Sequence, residues 1–129
     1  MPLDAEQRKA IRHMTKQYLR TVSSQQRLRD YAAGSARRNP DTHFVGDGLF
    51  AWWDAFMNPS HPEIVDIFSE RELESLRRYD TVIRSFHQTS AERQLPIQDF
   101  TRTNKFAEIS DAARDCYRVF RRLWFLGVA

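Results

Sequence analysis

What this chain lacks excludes several classes of protein. It has one cysteine, Cys116, so it can form no intrachain disulfide and no zinc site built from several cysteines. Its longest apolar run, residues 123–129, is far shorter than the roughly 20 residues that span a bilayer. The polar N-terminus also lacks the apolar core of a signal peptide. We therefore expect no membrane segment and a reducing, cytoplasmic location.

Lysine is scarce as well. Only three of the 20 basic residues are lysines, and the other 17 are arginines. Residues 1–40 carry a net charge of +6, residues 41–80 carry −6, and residues 81–129 carry +3. The overall +3 is thus the remainder of a basic–acidic–basic layout, which supplies little non-specific attraction for a polyanion. The layout fits either ion pairing within the fold, the favoured interpretation, or electrostatic pairing with a partner.

The scarcity of glycine and proline favours helices. Four glycines and five prolines among 129 residues leave long uninterrupted stretches with helical periodicity. This length fits a single domain, residues 1–129, with a core that needs no disulfide or metal. We expect an all-α bundle of four principal helices plus short helical turns. The expected helices span about 4–33 with a kink near 23–24, 48–58, 70–88 and 104–126.

Capping patterns mark the expected helix starts. Ser69 and Glu72 have the spacing of a capping box and open the third helix. Ser23 and Gln26 share that spacing, and the first segment is expected to kink or restart near Ser23 and Ser24. A loop is predicted over residues 34–47, running from a terminating glycine to an aspartate that caps the second helix.

Apolar residues recur at helical spacing and predict the core. The expected inward positions are Ile11, Met14, Tyr18 and Val22 in the first helix, Leu73, Leu76, Tyr79, Ile83 and Phe86 in the third, and Phe106, Ile109, Ala113, Cys116, Phe120 and Leu123 in the last. Cys116 is therefore expected to be a protonated, unreactive core thiol.

The second helix is unusually aromatic. Leu49, Trp52, Trp53, Phe56 and Met57 lie at helical spacing, and large aromatic side chains are usually buried. Core packing is accordingly the favoured interpretation. Adjacent tryptophans, however, point about 100° apart, so a single neighbouring element cannot bury both. We expect Trp52 or Trp53 to lie at a dimer interface or to line a pocket.

The last helix carries an arginine stripe. Four arginines fall within about 100° of arc on a helical projection, namely Arg114, Arg118, Arg121 and Arg122. Arginine binds phosphate and carboxylate through bidentate hydrogen bonds, which makes nucleic acid a candidate ligand. Asp111 and Asp115 interrupt the stripe, and Asp115 is placed to pair with Arg118. Because no helix-turn-helix is present either, nucleic-acid binding is disfavoured.

No residue pattern indicates catalysis, a metal or a cofactor. The four histidines are isolated from one another in sequence, and no nucleophile motif or phosphate-binding loop occurs. His61, which lies near Glu63, is interpreted as a surface residue rather than a metal ligand. Asp80 lies two turns from His87, too far to form a dyad with it, and is expected to pair with Arg84 or Arg77. The sequence thus favours a non-enzymatic function and implies no cofactor.

The function most consistent with these patterns is a non-catalytic protein–protein interaction or regulatory module that forms a homodimer. Its candidate interface residues are the aromatic anchors and the arginine rim, namely Trp52, Trp53, Trp124, Phe125, Arg118 and Arg122. One alternative is nucleic-acid binding through the arginine-rich helix face. Another is a small-ligand sensor or enzyme, with a polar pocket formed by Asp54, Asp80 and His87 near the tryptophan-rich helix.

Overall fold

Within the residues that it describes, the structure is all-α. This computed structural model describes residues 3–39 and 44–125, with side chains as far as Arg121. No strand occurs in these ranges, and the only β-type pairing there is an isolated bridge between Val45 and Pro96. The helices are α1 (Ala5–Val22), α2 (Gln25–Arg38), α3 (Gly48–Phe56), α4 (Pro62–Val65), α5 (Glu70–Thr89), α6 (Ile97–Phe100) and α7 (Asn104–Phe125), with a 3₁₀ turn at Ala91–Gln94.

The expected count of four principal helices is not confirmed, because the first predicted helix is two helices. The break lies at the predicted place, but Ser24 rather than Ser23 caps α2, since its hydroxyl accepts a hydrogen bond from the Arg27 amide at 3.3 Å. Ser23 instead ends α1. The prediction that Gly34 ends the segment is also wrong. Its neighbours are mostly good helix formers, so α2 continues through this glycine to Arg38.

The third predicted helix is confirmed in detail. Ser69 Oγ accepts from the Glu72 amide at 3.2 Å, and Glu72 Oε1 accepts from the Ser69 amide at 2.9 Å, which completes the capping box. All five inward positions predicted for α5 are buried. So are the positions predicted for α7 as far as Phe120. Asp47 precedes α3 as predicted, but its side chain makes no capping hydrogen bond.

Helix α7 packs against both α1 and α5, α2 packs against α1, and α3 packs against α1 and α5 on this framework. The short helix α6 lies against α2. The stripe predicted for α1 is partly wrong, because Met14 is 40% exposed while its neighbour Thr15 is fully buried. The Thr15 hydroxyl donates to the Ile11 carbonyl at 2.7 Å, which makes burial of this polar side chain inexpensive.

None of the helices in the described ranges combines the length and the apolar character that crossing a bilayer requires.

A buried carboxylate links α1 to α5. Arg12 donates two hydrogen bonds to Glu72, at 3.1 Å and 2.9 Å, in a bidentate pair. The Glu72 side chain is almost fully buried, and these contacts together with the capping hydrogen bond from Ser69 satisfy its oxygens. Arg12 also lies over the ring of Phe68, 5.3 Å from its centroid.

Glu72→Gln is expected to lower the free energy of unfolding by about 2 kcal/mol, because it removes the charge that satisfies Arg12 at a buried site. Glu74→Gln is the matched control, since Glu74 lies on the same helix and pairs with Arg78 at an exposed site. Its effect should stay within about 0.5 kcal/mol. Urea unfolding followed by circular dichroism measures both, and equal losses would contradict the role assigned to Glu72.

Candidate functional site

Trp53 lies in the core rather than at the surface. Its side chain is 0% exposed, and its ring lies 4.8 Å from Tyr79 and 5.0 Å from Tyr18, centroid to centroid. The indole Nε1 donates to Asp80 Oδ1 at 2.9 Å, which satisfies the one polar group of the ring. Trp53 therefore holds α3 against α5 and has no surface to offer a partner in this fold.

Two buried phenols sit beneath α3. Tyr18 and Tyr79 are 2.7 Å apart, hydroxyl to hydroxyl, and the Tyr18 hydroxyl donates to the Leu49 carbonyl at 2.9 Å. The Tyr18 hydroxyl has one proton and donates it to that carbonyl, so the Tyr79 hydroxyl is the donor in the hydrogen bond between the two tyrosines. Burial raises the pKa of both tyrosines well above the ordinary value, because the charged phenolate would lose its hydration. This chain of hydrogen bonds joins α5, α1 and α3.

Trp52 lies at the edge of the core and stacks on a neighbouring helix. Its ring lies 4.5 Å from that of Tyr31 on α2, at an interplanar angle of 7°. Phe44 meets Tyr31 edge-on at 5.9 Å, and the other side of Trp52 contacts Tyr18 at 4.8 Å. Trp52 is partly exposed and Tyr31 is 37% exposed. We call Tyr31, Phe44 and Trp52 the aromatic patch.

The sequence patterns did not predict that Tyr31 and Phe44 lie beside Trp52. Tyr31 falls out of phase with the apolar stripe of α1, and this phase slip was the available signal that it faces elsewhere. Phe44 lies in an irregular segment, where periodicity gives no orientation. Only the tertiary fold brings Phe44 and Tyr31 beside Trp52.

The predicted polar pocket residues belong to a cluster of ion pairs. Arg84 donates to Asp80 Oδ2 at 2.9 Å and to Asp54 Oδ1 at 3.0 Å, which confirms the predicted Asp80–Arg84 pair. The hydrogen bond to Asp80 is the main reason that the pKa of Arg84 is raised. His87 joins a different partner: its Nδ1 lies 2.7 Å from Asp47 Oδ1, and its ring stacks on Phe50 at 4.0 Å. Each predicted pocket residue is thus already paired within the chain.

Cys116 and His61 have local roles. Cys116 is 2% exposed as predicted, and burial raises the pKa of its thiol to about 12. His61 Nδ1 accepts from the Glu63 amide at 3.2 Å and so caps α4. In the described ranges, His, Cys, Asp and Glu form no group of three that could hold a metal ion.

The arginine stripe on α7 is only partly described. Arg118 pairs with Asp115 at 3.4 Å, and Arg114 pairs with Asp111 at 2.8 Å, both on the exposed face of the helix. The side chains of three candidate interface residues, Arg122, Trp124 and Phe125, lie outside the described residues.

Comparison with protein-family models, with curated proteins and with solved structures found no match to this chain.

Raising the pH above about 10 is expected to unfold the chain, because the native state keeps Tyr18 and Tyr79 protonated while the unfolded chain ionises them. The stabilisation from their raised pKa is complete below that pH and is lost above it. Tyrosinate absorbance should therefore rise in a cooperative step that coincides with loss of the helical circular dichroism signal.

Tyr79→Phe should lower the amplitude of this absorbance step by one tyrosine, and it should cost about 1 kcal/mol of stability at neutral pH. If all four tyrosines of the wild-type chain ionise while the circular dichroism spectrum remains native, the hydrogen-bonded pair is not protected as described.

Proposed function

We propose that this chain is a non-catalytic, cytoplasmic protein–protein interaction module that forms a homodimer through the aromatic patch. The observation that carries the proposal is the stack of Trp52 on Tyr31, which leaves two large aromatic side chains partly open to solvent. Tryptophan and tyrosine are the residues in which binding energy most often concentrates at protein interfaces. A cytoplasmic location agrees with a single cysteine that is kept as a buried thiol.

Buried residues beneath the aromatic patch hold Trp52 in place, and an anchor held in place favours binding. Trp52 rests edge-on against Tyr18, whose hydroxyl is fixed by the buried hydrogen bonds to Leu49 and Tyr79. A side chain held in this way has little rotamer freedom left to lose when a partner covers it. An anchor that is ordered before binding gains more from the same buried area than a mobile one.

A second copy of the chain is the partner that this surface fits. In a twofold dimer the same patch from each copy meets the other, so apolar rings cover apolar rings on both sides. The alternative of a ligand pocket gains no support, because Asp54 and Asp80 share Arg84 and His87 is paired with Asp47.

Sedimentation equilibrium of the purified chain between roughly 1 and 100 μM tests the proposal, and we expect a monomer–dimer equilibrium in this range. Trp52→Ala and Tyr31→Ala should each raise the dimer dissociation constant at least about tenfold, because each anchor is used twice in a twofold dimer.

Val119→Ala is the control, since Val119 is a half-buried apolar side chain in another groove, beside Arg71 and Glu74. It should leave the dissociation constant unchanged. A wild-type chain that remains monomeric over the whole range, or a Trp52→Ala chain that dimerises normally with a native circular dichroism spectrum, would refute the proposal.

A further inference from the structure

A basic groove lies where the end of α1, the start of α2 and the last turns of α7 meet. It is shallow and open, with a volume of about 580 Å³. Five arginines and a tyrosine line it, namely Arg20, Arg27, Arg114, Arg118, Arg121 and Tyr117. No carboxylate is among the described residues that line it. The groove thus gathers arginines from two segments that are 87 or more positions apart in the chain, since the nearest pair across it is Arg27 and Arg114.

The positive charge of the groove is only partly neutralised. Asp111 and Asp115, on the adjoining face of α7, pair with Arg114 and Arg118. Within the described part of the chain, Arg20, Arg27 and Arg121 have no carboxylate partner. Three guanidinium groups are therefore left to face solvent in one groove.

In the part of the chain that the structure describes, the acidic segment, residues 41–80, does not neutralise the arginines of the groove. Among the arginines in the described part of residues 1–40, Arg12 alone forms an ion pair with a carboxylate, and that carboxylate is Glu72 of the acidic segment. The acidic segment therefore pairs with only one of these arginines. Instead, the basic end of α1 and the start of α2 lie beside the basic face of α7, where like charges repel one another unless an anion binds.

The spacing along α7 fits an extended peptide. Arg114, Arg118 and Arg121 follow one another at four and three positions, which is about 6 Å and 4.5 Å along a helix. In an extended strand, side chains on the same face recur about every 6.6 Å. Long arginine side chains span the difference between these spacings, so a carboxylate of such a strand can bind the unpaired Arg121 while the strand runs past the partly neutralised Arg114 and Arg118. Arg114 is held ready by Asp111 and by its hydrogen bond to the Ser23 carbonyl at 3.0 Å.

The groove also continues into the aromatic patch. Arg27 and Tyr31 lie four positions apart on α2 and are both exposed, so they are neighbours on one helix face.

We propose that this groove binds an extended, acidic segment of a partner protein, with carboxylates accepting hydrogen bonds from Arg20, Arg27 and Arg121. The proposal rests on the proposed interaction function and adds the chemistry of a second, heterologous partner. A protein segment fits better than a nucleic acid, because Asp111 and Asp115 border the groove. A phosphate backbone is negative throughout and would be repelled there, whereas a peptide can place neutral or basic residues opposite them.

Fluorescence anisotropy with a labelled peptide of about ten residues, alternating glutamate and serine, tests the proposal. The triple variant Arg20→Gln, Arg27→Gln and Arg121→Gln should weaken binding of this peptide at least about tenfold. The matched control is Arg37→Gln, Arg77→Gln and Arg102→Gln, which removes the same charge from exposed positions outside the groove. It should change the affinity less than about twofold.

Three results would overturn the proposal. One is an equal loss in both triple variants, which would mean that only net charge attracts the peptide. Another is an absence of binding at low salt by a wild-type chain with a native circular dichroism spectrum. The third is stronger binding of a single-stranded oligothymidylate of equal length, with the same dependence on the three groove arginines, which would assign the groove to nucleic acid.

Sedimentation of the same variants separates this proposal from that of the homodimer. We expect the groove variant to dimerise as the wild type does, and Trp52→Ala to keep groove-dependent peptide binding. A chain that stays monomeric but binds the peptide through the groove would refute the homodimer alone. A chain that dimerises through Trp52 but treats both triple variants alike would refute the groove alone.

Discussion

The interaction on which the rest of this structure depends is the burial of the Tyr18 side chain. Its ring contacts Trp52, Trp53 and Tyr79, and its hydroxyl donates to the Leu49 carbonyl while accepting from Tyr79. Two phenols can lie in an apolar core only if both hydroxyls find partners, because an unmatched one costs about 1–3 kcal/mol. That requirement leaves α3 little freedom to slide or rotate over α1 and α5. The position of α3 then decides which of its aromatic rings faces solvent.

The surface chemistry of α3 follows from this constraint. Once Trp53 is fixed by Tyr79 and Asp80, the rotation of about 100° between successive residues must carry Trp52 to the edge of the core. Tyr31 and Phe44 cover part of it but leave the stack partly exposed. The same rotation places Phe50 and Asp54 toward Arg84, so the polar groups on that side neutralise one another. The aromatic patch thus stays partly exposed, whereas the ion-pair cluster serves the packing of α3 on α5.

Sequence periodicity predicted the features that depend on neighbouring residues, such as helix caps and buried helix faces. It did not predict the contacts between residues that are far apart in the chain. The capping box at Ser69, the inward positions of α5 and those of α7 as far as Phe120 follow from spacing alone and were confirmed, while Leu123 lies outside the residues whose side chains are described. The misplaced cap at Ser23 arose because Ser24 offers an equally good hydroxyl one position later. The bond between Arg12 and Glu72 and the pairing of His87 with Asp47 join residues 60 and 40 positions apart. No local sequence pattern indicates which residues so far apart in the chain will pair. The members of the candidate site can therefore be identified only from the fold.

The charge layout gains a physical meaning from the same fold. A basic–acidic–basic chain could neutralise itself if its acidic middle lay against both basic ends, yet among the described arginines of the first basic segment only Arg12 forms an ion pair with a carboxylate of that middle. The two basic segments meet each other along the groove instead, and this arrangement costs electrostatic energy in the free chain. Cooperative packing of α1 against α7, through Leu19, Val22 and Ile109 among others, offsets that cost. The acidic partner proposed for the groove would relieve this repulsion. The electrostatic energy of the free chain would then contribute to the free energy of binding.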